Sequence, residues 1–405
     1  MFKKFHHPTM FRLLGGVFFI LPTLLSNVNA NEFEVRGNFE VQGRFFYEDA
    51  QFSSQHDQQL SLAAAPEFFW SWNQGDDSFE FVPSARVDQY DSERTHIDIR
   101  ELSWVHVGDD WETRIGIRRE FWGVTEFQHL VDIINQSDSV EDVDNEDKLG
   151  QPMINLSLVR DWGIIDIYLL PYFRERTFAG EEGRPGIPFV NNNPLYESDD
   201  KEKHLDFAFR WSHNIDEFDV ALSWFEGTSR NPNLIPSITI QGALELTPFY
   251  SQIKQLGIEF QASLESSLLK LEVIHNQNNL QDYWALQGGI EYSQYGIFES
   301  NADLGWLLEY AWDERGTDSN STFQNDLFFG NRLALNDIQS TEVLFGFSYD
   351  LDFNSTSVLI EASRRFGDSV KVSLDARFFE SDEIRDPLYL FRRDDHIQIT
   401  AQYYY

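Results

Sequence analysis

Arg114, Arg118 and Arg119 crowd one short stretch of this chain. Beyond them come Trp122-Gly123 and, nine residues after the glycine, Asp132-Ile133-Ile134-Asn135. A guanidinium presents a planar fork of donors that grips a carboxylate with two hydrogen bonds, whether the acid belongs to the protein or to a solute. Arginine outnumbers lysine 23 to 8. Asp206 with Arg210, Lys270 with Glu272, Glu361 with Arg365, and Asp375 with Arg377 are each spaced to share one side of an extended chain. Glu259, Glu309 and Glu342 join them on that side. Such charges either pair across neighbouring strands and hold a wall together, or stay open and select what passes. The candidate pore-lining set is Arg114, Arg118, Asp132, Arg210, Glu259, Glu309, Glu342, Arg365, Asp375 and Arg377.

Glu141-Asp142-Val143-Asp144-Asn145-Glu146-Asp147 is a dense run of hard oxygen ligands of the kind that suits Ca²⁺ or Mg²⁺. It lacks the glycine and the closing glutamate of an EF-hand. The plainer expectation is a solvated loop near lipopolysaccharide and its bridging divalent cations, so no metal or cofactor is assigned. Hydrolysis would need a serine, a histidine and a carboxylate within hydrogen-bond reach. No G-x-S-x-G occurs, and His96, His106, His204, His213, His275 and His396 stand in no recognisable constellation. An enzyme is not expected.

Period-two alternation must position these charges. Leu205, Phe207, Phe209 and Trp211 alternate with Asp206, Ala208 and Arg210. Leu304 to Tyr310, Val343 to Tyr349 and Val370 to Phe378 repeat the pattern. Segments of about ten residues that alternate this way mark a transmembrane barrel, with apolar side chains toward lipid and polar ones toward the lumen. A helix would mix the two sets. A soluble sandwich also alternates, but its strands are shorter and its outer face is the polar one. The predicted strands are 33–48, 58–73, 77–90, 95–107, 111–121, 151–160, 163–175, 203–213 and 217–227. They continue with 252–264, 267–276, 282–295, 300–313, 325–335, 340–351, 356–366, 369–380 and 388–405. That is an all-β, antiparallel barrel of about 18 strands. Segments 58–73 and 151–160 alternate least, and without them the count is 16.

The gaps obey a parity. Connections 122–150, 176–202, 228–251 and 314–324 are long and fall at one end of the alternation. Asn73-Gln74-Gly75-Asp76, Gly108-Asp109-Asp110, Asp161-Trp162, Asn214-Ile215-Asp216 and Gly367-Asp368 are tight turns at the other. Outer-membrane barrels put long loops outside the cell and short turns in the periplasm. The last segment ends on Tyr403 and Tyr405, the aromatic ending expected of a client of the outer-membrane assembly machinery.

The start reads as an export signal. Lys3, Lys4 and Arg12 precede an apolar run from Leu13 to Leu25, and Val28-Asn29-Ala30 follows, so cleavage is expected after Ala30. Residues 31–405 are then a single barrel. The apolar run is too short to span as a helix, and no later stretch is longer. The sequence has no cysteine, which rules out disulfides and thiolate metal sites. With 67 acidic against 31 basic residues, net −36, nucleic acid is not expected as a partner. Such acidity would suit a disordered chain, but 36 Phe, 15 Tyr and 11 Trp must be buried or placed in lipid.

Phe121-Trp122-Gly123 followed by Asp132-Ile133-Ile134-Asn135, and the later Phe328-Phe329-Gly330-Asn331-Arg332-Leu333-Ala334-Leu335-Asn336-Asp337, carry a resemblance. They resemble the porin-like group of large outer-membrane barrels that includes alginate-export-type and uncharacterised proteobacterial members. The resemblance covers the layout of most of the chain and these two motifs. It implies an 18-stranded channel with a constricting loop that folds into the lumen. The mixed charges here differ from the strongly positive lumen expected of an alginate exporter. The expected function is passive or weakly selective passage of small polar or charged solutes. The alternative is a non-conducting barrel acting in adhesion, envelope structure or as a partner of an export complex. Expected partners are outer-membrane lipid and lipopolysaccharide, the assembly machinery, a small solute and a second copy of the chain. If loop 122–150 folds inward, Arg114 and Arg118 are expected to face its Asp132, Asp142 and Asp144 across the lumen.

Overall fold

The computed structural model describes residues 32–187, 189–240, 242 and 244–405. The expected signal segment and its cleavage site lie outside the described residues. The strands are β1 (Glu32–Phe46), β2 (Gln58–Trp72), β3 (Asp77–Asp88), β4 (His96–Val107), β5 (Trp111–Arg118), β6 (Gln151–Arg160) and β7 (Gly163–Leu170). Then come β8 (Leu195–Tyr196), β9 (Asp206–Ile215), β10 (Phe218–Thr228), β11 (Asn233–Ile238), β12 (Leu244–Tyr250), β13 (Gln252–Leu264) and β14 (Ser267–Asn278). The last are β15 (Asp282–Gln294), β16 (Asp303–Asp313), β17 (Asn325–Ala334), β18 (Glu342–Asp350), β19 (Thr356–Phe366), β20 (Val370–Glu380) and β21 (His396–Tyr404).

Eighteen of these form one antiparallel sheet that closes where β1 pairs with β21, from Asn38 opposite Tyr404 to Phe46 opposite His396. Closure leaves no lipid-facing strand edge with unpaired backbone groups, which hydrocarbon would not tolerate. The alternation behaves as read: Phe207, Phe209, Trp306 and Leu308 are exposed on the outside, while Asp206, Ala208, Leu307 and Glu309 are buried within. The count of 18 therefore holds, with 58–72 and 151–160 both in the wall. The expected last strand is shorter than 388–405. Asp386 accepts a hydrogen bond from Leu388 N at 2.8 Å, Pro387–Phe391 turns as a 3-10 helix, and β21 begins at His396.

Two features shape the interior. In β3–β4 the register steps between Val82 and Pro83, leaving Arg100 unpaired between Ile99 and Glu101. Such a bulge re-aims side chains. Here Arg100 reaches Asp138 at 2.6 Å, and the next residue, Glu101, accepts from Arg119 N at 2.9 Å. Second, β5 stops at Arg118 and β7 at Leu170, so this sector of wall is low. The chain leaves it for the connections 119–150 and 171–205. Connections 171–205 and 229–251 build a small sheet of their own, in which β11 pairs with β12 and β12 runs parallel to β8. Alternation did not reveal these three strands because they face loops, not a bilayer.

The loop-length rule predicts that this end faces the cell exterior. The sequence has no cysteine, so Asn193→Cys in the 171–205 connection supplies a single thiol. An impermeant maleimide should label it on intact cells. Asp109→Cys, in a turn at the opposite end, should react only after the outer membrane is permeabilised. The reverse pattern would invert the orientation.

Candidate functional site: a loop seated across the lumen

The 119–150 connection folds into the barrel and is fastened to it from three sides. The first fastening is internal and explains the Asp-x-x-Asn motif. Asn135 donates to Arg118 O and Leu149 O, both at 2.8 Å, and accepts from Glu120 N at 2.9 Å, so it staples the two ends of the loop. Asp132 accepts from Trp122 N at 3.3 Å and meets Lys148 at 3.1 Å. Trp122 packs edge-on against Tyr168 at 5.7 Å, within a cluster that holds Val131, Ile133, Ile134, Met153, Leu170, Phe225 and Ile274. The loop thus brings a small apolar core into a polar lumen, and the burial of those side chains favours the folded-in state.

The second fastening lies on β14–β18. Glu272, fully buried, accepts from Val124 N at 2.7 Å, Thr125 N at 3.0 Å, Thr125 Oγ1 at 2.7 Å and Val131 N at 3.2 Å. Glu309 accepts from Glu126 N at 2.9 Å, Phe127 N at 3.3 Å and Gln287 Nε2 at 2.7 Å. Glu126 in turn pairs with Arg332 and, at 3.6 Å, with Lys270. Phe127 stacks on Phe328 at 4.8 Å above a glycine floor. A Cβ on Gly346 would meet its ring at 2.8 Å, and one on Gly330 at 3.2 Å, so any larger residue at 346 would displace it. His129, on the loop, lies 3.2 Å from Glu146 and 3.8 Å from Glu272. Burial alone would lower its imidazolium, but the two facing carboxylates override that and push it up to about 10.

The third fastening is to the opposite wall. Glu141 takes Arg86 Nε at 2.9 Å, with Arg94 at 3.6 Å and Arg100 at 3.9 Å, while Arg44 donates to its backbone carbonyl. Burial would raise this carboxyl, but Arg86, Arg94 and Arg100 win and hold it at about 2. Arg377 on β20 binds Asp144 at 2.6 Å, Asp142 at 3.3 Å and Glu361 at 3.5 Å. Burial and then the neighbouring Asp142 push the Asp144 carboxyl up to about 7, against the pull of Arg377. The outer connections press on the loop from above. Thr177 Oγ1 donates to Asp138 at 2.7 Å, and Arg230 donates to Ile134 O at 3.0 Å.

The sequence-derived candidates divide accordingly. Glu309, Asp132 and Arg377 hold the loop. Arg210 and Glu259 form a two-pronged pair at 2.9 and 2.8 Å across β9, β10 and β13. Glu342, Arg365 and Asp375 sit on β18, β19 and β20, where Arg365 lies 5.4 Å from the Tyr404 ring and Asp375 accepts from Gln398 at 3.4 Å. Arg114 and Arg118 do not face the loop acids as expected. Arg114 pairs with Glu112 and donates to Asn155 at 3.1 Å, and Arg118 pairs with Glu120 at 3.1 Å. Asp142 and Asp144 meet Arg377 instead, and Asp132 meets Lys148; Arg86, Arg94 and Arg100 meet the neighbouring Glu141, and Arg44 donates to its carbonyl. Arg44 was in principle legible, since it alternates inward with Gln42 on β1. Arg94 was not, because it reaches in from a short connection. The acidic run is likewise not a solvated outer loop: it lies inside, on arginines. Ligand atoms of His96, Asp138 and Glu141 come within 4.8 Å of one another, but Arg86, Arg94 and Arg100 already occupy these carboxylates.

What stays open to water is uneven. Glu272, Gln287 and Asn155 are fully buried, so the loop is sealed against those sectors. Elsewhere it is not: beside β19–β20 the Glu361 and Asp144 side chains keep 26% and 24% of their exposure, Glu146 beside His129 keeps 25%, and Asn145 and Asp147 are exposed. The loop residues that keep most access to water are therefore acidic.

No family model matches this chain, and no curated protein matches it in sequence. Solved structures match in fold. Wzi, an outer-membrane protein of Escherichia coli involved in group 1 capsule assembly, is similar at 10% identity and TM-score 0.52, over 91% of this chain and 84% of its own. A loop-deleted OmpT of Vibrio cholerae (9% identity, TM-score 0.48, 93% and 100% covered) and a Rh. blastica porin mutant (11%, 0.45, 92% and 100%) are further likenesses. Wzi shares the fold, and with a closed 18-stranded wall whose outer face is apolar this chain is an outer-membrane β-barrel.

Proposed function

We propose that this barrel is a restricted channel for small cationic and neutral polar solutes, with connection 119–150 as its constriction. One observation carries the reading. The loop pairs with the wall by direct ion pairs on two sides, and the groups left facing water beside it are Glu361, Asp144, Glu146 and Asp147. Carboxylates in a narrow opening favour cations, and the preference should grow as pH passes the raised value of Asp144, about 7. The arginines at this level are engaged: Arg377 is buried against three carboxylates.

The test is planar-bilayer recording of the purified barrel with reversal potential read in a KCl gradient. Potassium preference is expected, and Glu361→Gln combined with Asp375→Asn should reduce it. Chloride preference, or silence at every voltage, would overturn the proposal. A second reading is favoured by the covered outer mouth: a non-conducting barrel that holds a surface glycan. Wzi is described as a carbohydrate-binding β-barrel. Silence in the bilayer would move this chain to that reading.

A further inference from the structure

Among the described residues, the outer connections line a half-open pocket of about 280 Å³ above the constriction. Its walls come from three separate segments. Glu93 stands on the β3–β4 connection. Glu175, Arg176, Thr177, Asn191 and Asn192 stand on the 171–205 connection, and Tyr250 ends β12. The size is near the lower end of the range for small-ligand pockets, about 300 Å³.

The lining is unusual for a loop surface. Planar side chains with both donors and acceptors crowd one wall: Asn192 Nδ2 donates to Glu93 at 3.2 Å, Asn191 accepts from Asn193 N at 2.8 Å, and Glu175 accepts from Tyr196. Each keeps hydrogen-bonding capacity beyond that single contact, because a carboxylate or an amide offers several sites. Apolar surface from Phe178, Pro194 and Pro248 completes the cavity. The base is firm. Tyr250 is fully buried, accepts from Arg176 N at 2.9 Å, and stacks edge-on with Phe173 at 4.8 Å. A preformed pocket with dense two-way hydrogen bonding beside apolar faces suits a ring that carries many hydroxyls and a C–H face. Glu93 and Glu175 outnumber Arg176, whose guanidinium donates to Asn231 at 2.7 Å and Gln136 at 3.4 Å, so the lining is negative on balance.

We propose that this cavity is a binding site for a small polyhydroxylated solute, a sugar of one or two rings that is neutral or cationic and not anionic. Its position gives it a mechanical link. Thr177, in its wall, is the residue whose hydroxyl holds Asp138 of the inner loop and accepts from Val140 N at 3.2 Å. A solute bound there sits one side chain from the constriction.

The experiment is calorimetric titration of the intact barrel in detergent with glucose, glucosamine, maltose and glucuronate. Saturable binding of at least one of the first three is expected, with glucuronate weaker. Asn192→Leu and Glu175→Leu, both in surface connections, should each weaken it by about tenfold, the loss expected for one or two hydrogen bonds. No saturable binding by any of the four sugars would overturn the site. So would glucuronate binding as well as glucose, or binding unchanged in both variants. The assay does not depend on conductance, so its failure and the failure of the channel reading are separable.

Discussion

Glu272→Ala should turn a restricted channel into an open one. Its carboxylate, fully buried, accepts from three loop amides and one hydroxyl and lies beside His129. Removing it leaves those donors buried and unpaired at about 1–3 kcal/mol each, and it leaves a buried imidazolium facing only Glu146. The loop escapes that cost by leaving its seat. Since about 1.4 kcal/mol shifts a population tenfold, the unseated state should gain by at least about two orders of magnitude. The barrel itself should survive, because its wall is held by backbone ladders on either side of β14. The expected record is larger conductance steps and weaker cation preference, with heat-modifiable migration retained. Glu272→Gln keeps one acceptor oxygen and should fall between. Unchanged conductance in the alanine variant would show that the loop does not gate the lumen.

The seat should also loosen as pH rises. Asp144 binds its proton up to about pH 7 when docked, but a released loop loses it near 3.8. Between those values the released form has ionised and the docked form has not, so docking weakens as pH rises through the interval and stays weaker above it. His129 acts in the same direction. Its docked value of about 10 stands above the ordinary 6.5, so its contribution is complete below 6.5 and is lost as pH climbs toward 10. Glu141 acts oppositely. Held at about 2 against an ordinary 4.5, it supports docking above 4.5 and loses that support as pH falls toward 2. Docking is therefore tightest at about pH 4, between the ordinary values of Asp144 and Glu141 and below that of His129. Conductance measured at constant salt should rise from pH 5 to pH 9 and rise again below pH 3. Asp144→Asn removes one titration and should flatten the lower part of the alkaline limb. Conductance that falls from pH 5 to pH 9 would reverse the sign and discard the scheme.

Alternation alone determined the barrel. Whether a side chain meets lipid or lumen is settled every two residues by strand geometry, and the bilayer penalises the wrong choice at each one, so Leu308 and Glu309 declare their sides without help from elsewhere in the chain. Turn residues and gap lengths likewise declared which end carries the loops. Asp132 and Asn135 were legible as special, but not as staples of the loop to itself. Arg114 and Arg118 were read as partners of Asp132, Asp142 and Asp144 but pair with Glu112 and Glu120, because facing the lumen does not say which wall a loop will cross to. That choice was made by contacts far apart in sequence. Glu272 bonds Thr125 from 147 residues away, and Arg377 bonds Asp144 from 233. No local pattern encodes such a pairing. It follows from a low wall at β5–β7 that releases the loop inward, from glycines at 330 and 346 that leave room for Phe127, and from a bulge at Arg100 that turns one more guanidinium toward the acids. Each is a property of the closed barrel, since only closure brings β20 and β14 to opposite sides of the same loop.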